Sequence, residues 1–124
     1  MNPSKKRVVV MGASNKPDRY SNKAVRLLRE HGHEVIPVHP RLDEVEGLKV
    51  IHQLGEIIGA VDTLTLYVGP DASSAAAEAI LQLRPGRVIF NPGSENPALE
   101  AHLRAAGIAH EQACTLVLLR TAQF

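Results

Sequence analysis

Apolar residues along the chain fall into short runs separated by stretches of helical period. Residues 7–11, "RVVVM", form a continuous apolar run that stops at Gly12. A run apolar on both faces predicts a central strand of a parallel sheet. Residues 22–31 change period: Ala24, Val25, Leu27 and Leu28 share one face, and Lys23, Arg26, Arg29 and Glu30 take the other. That spacing predicts a helix, with Ser21 as its N-cap and Gly32 as the stop. "EVIPV" (34–38) predicts the second strand, ended by Pro40, and 41–60 predict a loop with a short helix around 52–58. "VDTLTLYV" (61–68) predicts the third strand. An Ala-rich helix opens at Gly69-Pro70-Asp71 and runs to about Leu83, with Pro85-Gly86 beyond it. "RVIF" (87–90) predicts the fourth strand. Asn96 caps a helix with Pro97 at its first position and Gly107 after it. "IAH" (108–110) predicts a short fifth strand. "ACTLVLLRTAQF" (113–124) is compatible with helix or strand.

Strands alternating with helices predict an α/β domain: a Rossmann-like three-layer α/β/α sandwich around a parallel sheet of about five strands. The 124 residues make a single domain, 1–124, with no repeat or linker. Ligands of such sheets bind beyond the carboxyl ends of the strands, where strand order switches. The strand exits are therefore where function is sought.

The first exit offers Gly12, Ala13, Ser14 and Asn15, small residues that let backbone N–H groups approach an anion. It is not a G-x-G-x-x-G fingerprint. Pro17 delays the helix, so the N–H groups of Tyr20, Ser21, Asn22 and Lys23 begin later, and Lys16, Arg19 and Lys23 add positive charge. The second exit, "PVHPR", holds Val38, His39, Pro40 and Arg41. An NAD site would place a carboxylate here for the ribose hydroxyls. Glu34 lies at the wrong end of the strand and Asp43 and Glu44 lie past Pro40, so Arg41 points to a ligand with phosphate on or near its ribose. NADP and coenzyme A both carry one. At the third exit, Gly69 and Pro70, after Val68, permit close approach to a flat ring. At the fourth, Asn91 offers hydrogen bonds, Gly93 a turn, and Glu95 a helix-start charge.

Charge and composition narrow the function classes. A formal net charge of +1 argues against a general nucleic-acid binder. No apolar run approaches the roughly 20 residues of a membrane span, and "MNPSKKR" leads into no apolar signal segment. One cysteine, Cys114, excludes an internal disulfide and fits a reducing compartment, so a cytoplasmic protein is expected. Aromatics are only 3% of residues, so the core must be aliphatic. His31-Gly32-His33 has no cysteine or carboxylate cluster beside it and predicts no metal site. His39 stands at the ligand edge and can meet a phosphate or a base. Cys114 lacks a local histidine partner, and no paired carboxylates or G-x-S-x-G are present, so no catalytic residues are assigned.

"VVMGASNKPDRYSNKAVRLLREHGHEVIPVHP" resembles the opening of the small stand-alone CoA-binding domain proteins, relatives of the CoA-binding domain of the succinyl-CoA synthetase α subunit. Shared pieces are Gly12-Ala13-Ser14, Pro17, Tyr20-Ser21-Asn22, Pro37-Val38 with Pro40, Val61-Asp62, Gly93, and Gly107-Ile108 ahead of Cys114. The resemblance covers almost the whole chain. It implies a Rossmann-like fold binding CoA or an acyl-CoA, with Gly12–Asn15 and Tyr20–Asn22 near the phosphates. Val38–Arg41 and Val68–Pro70 would then flank the adenosine. This sequence departs from the family's usual residues at His39 and at Phe90-Asn91. It shows no counterpart of the synthetase's second domain or phosphorylated histidine segment, so the resemblance implies a binding or regulatory module rather than a ligase. An NADP-dependent oxidoreductase, and an interaction subunit or homo-oligomer using the apolar 115–119 segment, are the other readings.

Overall fold

The computed structural model describes residues 5–124. The expectation drawn from the first residues of "MNPSKKR" lies in part outside them. Seven strands and five helices follow in chain order: β1 (Arg7–Met11), α1 (Tyr20–Glu30), β2 (Glu34–Val38), β3 (Glu44–Val45), β4 (Leu48–Lys49), β5 (Thr63–Leu66), α2 (Pro70–Ala75), α3 (Ala77–Leu83), β6 (Arg87–Phe90), α4 (Pro97–Ala105), β7 (Ala109–Gln112) and α5 (Thr115–Arg120). A 3₁₀ turn, Leu54–Glu56, precedes β5.

The main sheet has the order β2-β1-β5-β6-β7, and every pairing in it is parallel. Val8, Val9 and Val10 of β1 are each fully buried. Alternation sends Val9 to one face, where it joins Ile80 of α3 and Leu99 and Leu103 of α4. Val8 and Val10 go to the other, with Val25 and Leu28 of α1 and Leu119 of α5. The chain lays β2 on one side of β1 and then crosses to β5 on the other, so the switch in strand order lies between β1 and β5.

Gly12 makes that junction possible. Its φ is +90°, and a Cβ there would stand 2.7 Å from the Tyr67 carbonyl oxygen and 2.8 Å from Val68 Cγ1. No other residue lets the β1 exit lie so close to the β5 exit.

Several local expectations are corrected. The α1 N-cap is Arg19, not Ser21, and the helix begins at Tyr20. A turn closed by Arg19 N–H to the Lys16 carbonyl brings the chain into helical geometry early, and the Arg19 carbonyl accepts from Lys23 N–H. The third strand keeps only Thr63–Leu66 of the expected 61–68. The Ala-rich helix is two helices divided at Ala76, whose N–H is shared between the carbonyls of Ala72 and Ser73. The expected 52–58 helix is the single turn Leu54–Glu56, and residues 44–49 form a small antiparallel hairpin instead of loop. The ambiguous C-terminal segment is a helix, because Leu116 and Leu119, three apart, both reach the interior.

Candidate functional site

The loop from Gly12 to Arg19 is held from beneath by α1. Asn22, fully buried, donates from Nδ2 to the Ser14 carbonyl at 2.9 Å. Arg26 donates from Nη2 to the Pro17 carbonyl at 2.8 Å and from Nε to Asn22 Oδ1 at 2.8 Å. Inside the loop, Ser14 Oγ accepts from Lys16 N–H. Gly12 and Ala13 N–H both donate to the Val38 carbonyl. This leaves an asymmetry in the loop's polar groups. The carbonyls of Ser14, Lys16 and Pro17 have donors, whereas among the described residues the N–H groups of Ser14 and Asn15 have no acceptor.

Helix α1 continues the asymmetry. No side chain caps it and no acidic residue stands in its first turn. Its first N–H groups are therefore unpaired at the positive end of an eleven-residue helix, unlike α4, whose Asn96 side chain accepts from Leu99 N–H. Lys16 and Arg19 are exposed beside it.

These groups surround one cavity of about 470 Å³ at the switch point. Of the residues expected from sequence, Gly12, Ala13, Ser14, Asn15, Lys16, Arg19, Ser21, His39, Pro40 and Val68 line it. Arg41 stands exposed between two lining residues, Pro40 and Leu42. Asn22 supports the loop from inside. Val38 faces an adjoining, more apolar cavity of about 490 Å³, which shares Gly12, Pro40 and Val68 with the first and is walled by Leu54 and the alanines 72, 75, 76 and 79. Gly69 and Pro70 open α2 next to it, and Gly69 has nothing within 4 Å of a built Cβ. Tyr20 and Asn91 line a third cavity on the far side of Tyr67.

His39 shapes the second exit. Its Nδ1 accepts from both Arg41 N–H and Leu42 N–H, each at 3.0 Å. That acceptor role requires the neutral ring with its proton on Nε2. Burial, then the charges of Arg41 and His52, lower its pKa from the ordinary histidine value. His52 steadies the same turn from the other side, with Nε2 3.0 Å from the Leu42 carbonyl and 3.2 Å from Asp43 Oδ1.

Asn91 is fully engaged inside the protein. Its Nδ2 donates to Thr65 Oγ1 and to the Leu66 carbonyl, and its Oδ1 accepts from Thr115 N–H. The residue thereby ties the exits of β5 and β6 to the start of α5. Glu95 accepts from Gly93 N–H and lies before the α4 cap.

Sequence reasoning missed Leu42 and Tyr67 as lining residues. Tyr67 directly follows β5, a strand of ordinary apolar pattern, and only the sheet order places it beside Gly12. Its ring borders two cavities. Its hydroxyl oxygen is buried without a hydrogen-bond partner, and burial raises its pKa well above the ordinary phenol value. Among the described residues no group of three or more histidine, cysteine or acidic side chains is placed to hold a metal ion. No described helix is long and apolar enough to cross a membrane.

A parallel sheet of this order, with a loop of unpaired N–H groups at its switch point, defines a Rossmann-like α/β domain. Residues 6–120 match the family described as the CoA binding domain, and the chain belongs to that family. It is 35% identical over 77 residues to the uncharacterized protein YneT of Bacillus subtilis (strain 168), covering 62% of this chain and 57% of YneT. It is 37% identical over 62 residues to the alpha subunit of the ADP-forming acetate–CoA ligase II of Pyrococcus furiosus, covering 49% of this chain and 14% of the subunit. The matched stretch thus spans little more than half of one curated relative and a small part of the other. A crystal structure of an uncharacterized protein superposes with a TM-score of 0.93 at 41% identity, covering 98% of this chain and 99% of that one.

Proposed function

We propose that the protein binds coenzyme A, or a thioester of it, as a binding or regulatory module without catalytic groups of its own. The observation that carries this reading is the uncapped start of α1 beside the unpaired N–H groups of Ser14 and Asn15. Backbone donors held by Asn22 and Arg26 meet phosphate oxygens without having to reorganise. Lys16 and Arg19 add charge-assisted bonds at the mouth. The alanine-walled cavity beside the loop suits a flat, largely apolar adenine ring, and Arg41, exposed between the lining residues Pro40 and Leu42, would meet a phosphate on the ribose. The acetate–CoA ligase relative and the family description support CoA as the ligand. Nothing at the loop is arranged as a nucleophile with a base, which favours binding over turnover.

Thermal unfolding with CoA, acetyl-CoA, NAD and NADP in turn tests the reading. A ligand at 100 times its dissociation constant adds about 2.7 kcal/mol of stability. CoA is expected to stabilise and NAD to do nothing. Stabilisation by NADP but not by CoA overturns the reading. Arg41→Glu is expected to weaken CoA more than 3′-dephospho-CoA, and equal losses would remove Arg41 from 3′-phosphate recognition.

A further inference from the structure

The third cavity, about 340 Å³, lies across Tyr67 from the phosphate loop, between the start of α1 and α5. Its chemistry is the opposite of the loop's. Leu116, Val117, Pro92 and the two tyrosines make it mainly apolar, and Arg120 is the one charged group on it. The polar groups on its floor have little to offer a ligand. Asn91 spends its whole amide on Thr65, Leu66 and Thr115. The Tyr67 hydroxyl is shut away from solvent. Away from Arg120 and the Tyr20 hydroxyl, a sugar or phosphate entering here would lose water without replacement donors. An aliphatic group would lose nothing.

The rim carries the second observation. Three large hydrophobic residues are exposed among the described residues, and two of them, Tyr20 at 69% and Val117 at 51%, border this one cavity. Tyr20 is also the first residue of α1, directly after Arg19 of the phosphate cavity. A ligand held by its phosphates at the loop therefore has an apolar recess next to it, reached past Tyr67.

Resting on the CoA reading, we propose that this recess receives the acyl group of an acyl-CoA, and that the ligand class is a short aliphatic thioester. The pyrophosphate lies at the loop, the arm passes the edge of Tyr67, and the acyl chain packs between Tyr20 and Val117. The protein then distinguishes acylated from free CoA by area buried rather than by any polar contact.

Titration calorimetry on the intact chain with CoA, acetyl-CoA, butyryl-CoA and succinyl-CoA tests this. Each buried methylene is worth about fourfold in affinity, so butyryl-CoA is expected to bind about fifteenfold tighter than acetyl-CoA. Succinyl-CoA, with its terminal charge, is expected to bind no better than CoA. Val117→Glu, at an exposed position, is expected to bring butyryl-CoA down to the affinity of CoA. Cys114 is the single cysteine of the chain and lines the recess, so its alkylation by iodoacetamide reports occupancy. Butyryl-CoA at saturation is expected to slow it several times more than saturating CoA does.

Equal affinities for CoA and butyryl-CoA overturn the inference while leaving the CoA reading standing. Equal affinities together with a dimer that Val117→Glu dissociates would assign the recess to a second copy of the chain. Tighter binding of succinyl-CoA than of butyryl-CoA would make Arg120 the selector and refute the aliphatic class. If neither CoA nor any thioester binds, the CoA reading falls, and this inference with it.

Discussion

Replacing Gly12 by alanine probes the junction on which the site is built. Two costs add. At φ +90° an L side chain is strained, by about 1–2 kcal/mol. The new Cβ would also meet the Tyr67 carbonyl oxygen at 2.7 Å and Val68 Cγ1 at 2.8 Å. The first contact is with backbone, so β1 and β5 must separate, and overpacking of this kind costs about 1–3 kcal/mol. Together the loss is about 2–5 kcal/mol, a large fraction of the roughly 5–15 kcal/mol available to a domain. At about 3–5 °C per kcal/mol for a chain of this length, Tm should fall by roughly 6–25 °C. Circular dichroism melts of Gly12→Ala and Gly55→Ala give the comparison. Gly55 has nothing within 4 Å of its built Cβ, and its variant is expected to shift by less than about 1 kcal/mol. A Tm for Gly12→Ala within about 3 °C of that control would refute the close-approach argument. If the fold survives but the exits part, CoA affinity should also fall, because Tyr67 and Val68 both line the cavity at the switch point.

Reversing charge at the mouth with Lys16→Glu and Arg19→Glu should weaken CoA at least tenfold while leaving Tm near that of the parent; unchanged affinity by calorimetry would move the phosphates elsewhere. Asn91→Leu should destabilise by about 2–4 kcal/mol in urea, since it strands the buried Thr115 N–H; a loss under 1 kcal/mol would mean that water or a rearranged α5 start replaces the amide. The folded pKa of His39 lies below its unfolded value, so the neutral form is favoured in the native state. Its contribution is present above about pH 6.5 and is lost as pH falls through the lower folded value, where a protonated Nδ1 no longer accepts from Arg41 and Leu42. His39→Gln should flatten that part of the stability profile, and an NMR titration of the ring should give a midpoint below the ordinary one; a raised midpoint would contradict the neutral assignment.

Strands β1, β2 and β6 were legible to the residue. Each is a continuous apolar run between hard stops: Gly12, Gly32 and Pro40, or Gly86 and Asn91. The β3–β4 hairpin was not legible, because two-residue strands have no period to detect. The division at Ala76 was hidden for another reason. Alanines favour helix on both sides of it, and the anchors are tertiary, with Asn96 holding Ser73 and Ser74 of α2 while Ile80 of α3 is buried on the sheet. At the site, the loop residues announced themselves by size and charge. Tyr67 did not, since its importance comes from standing beside Gly12 across the switch point, a fact of strand order rather than of local sequence.

Asn22 has a consequence that reaches beyond the loop it supports. The same Nδ2 that holds the Ser14 carbonyl also donates to Glu46 Oε2 at 3.1 Å, and the Glu46 carbonyl accepts from Arg29 at 2.8 Å. Glu46 sits in the β3–β4 turn at φ +51°. The loop from Gly12 to Arg19 is thus cantilevered from a surface hairpin through one amide, and α1 is the beam between them. Changes to the hairpin turn would slacken the loop from a distance, and they would register as faster amide exchange at Lys16 and Arg19, whose N–H groups are paired within the loop.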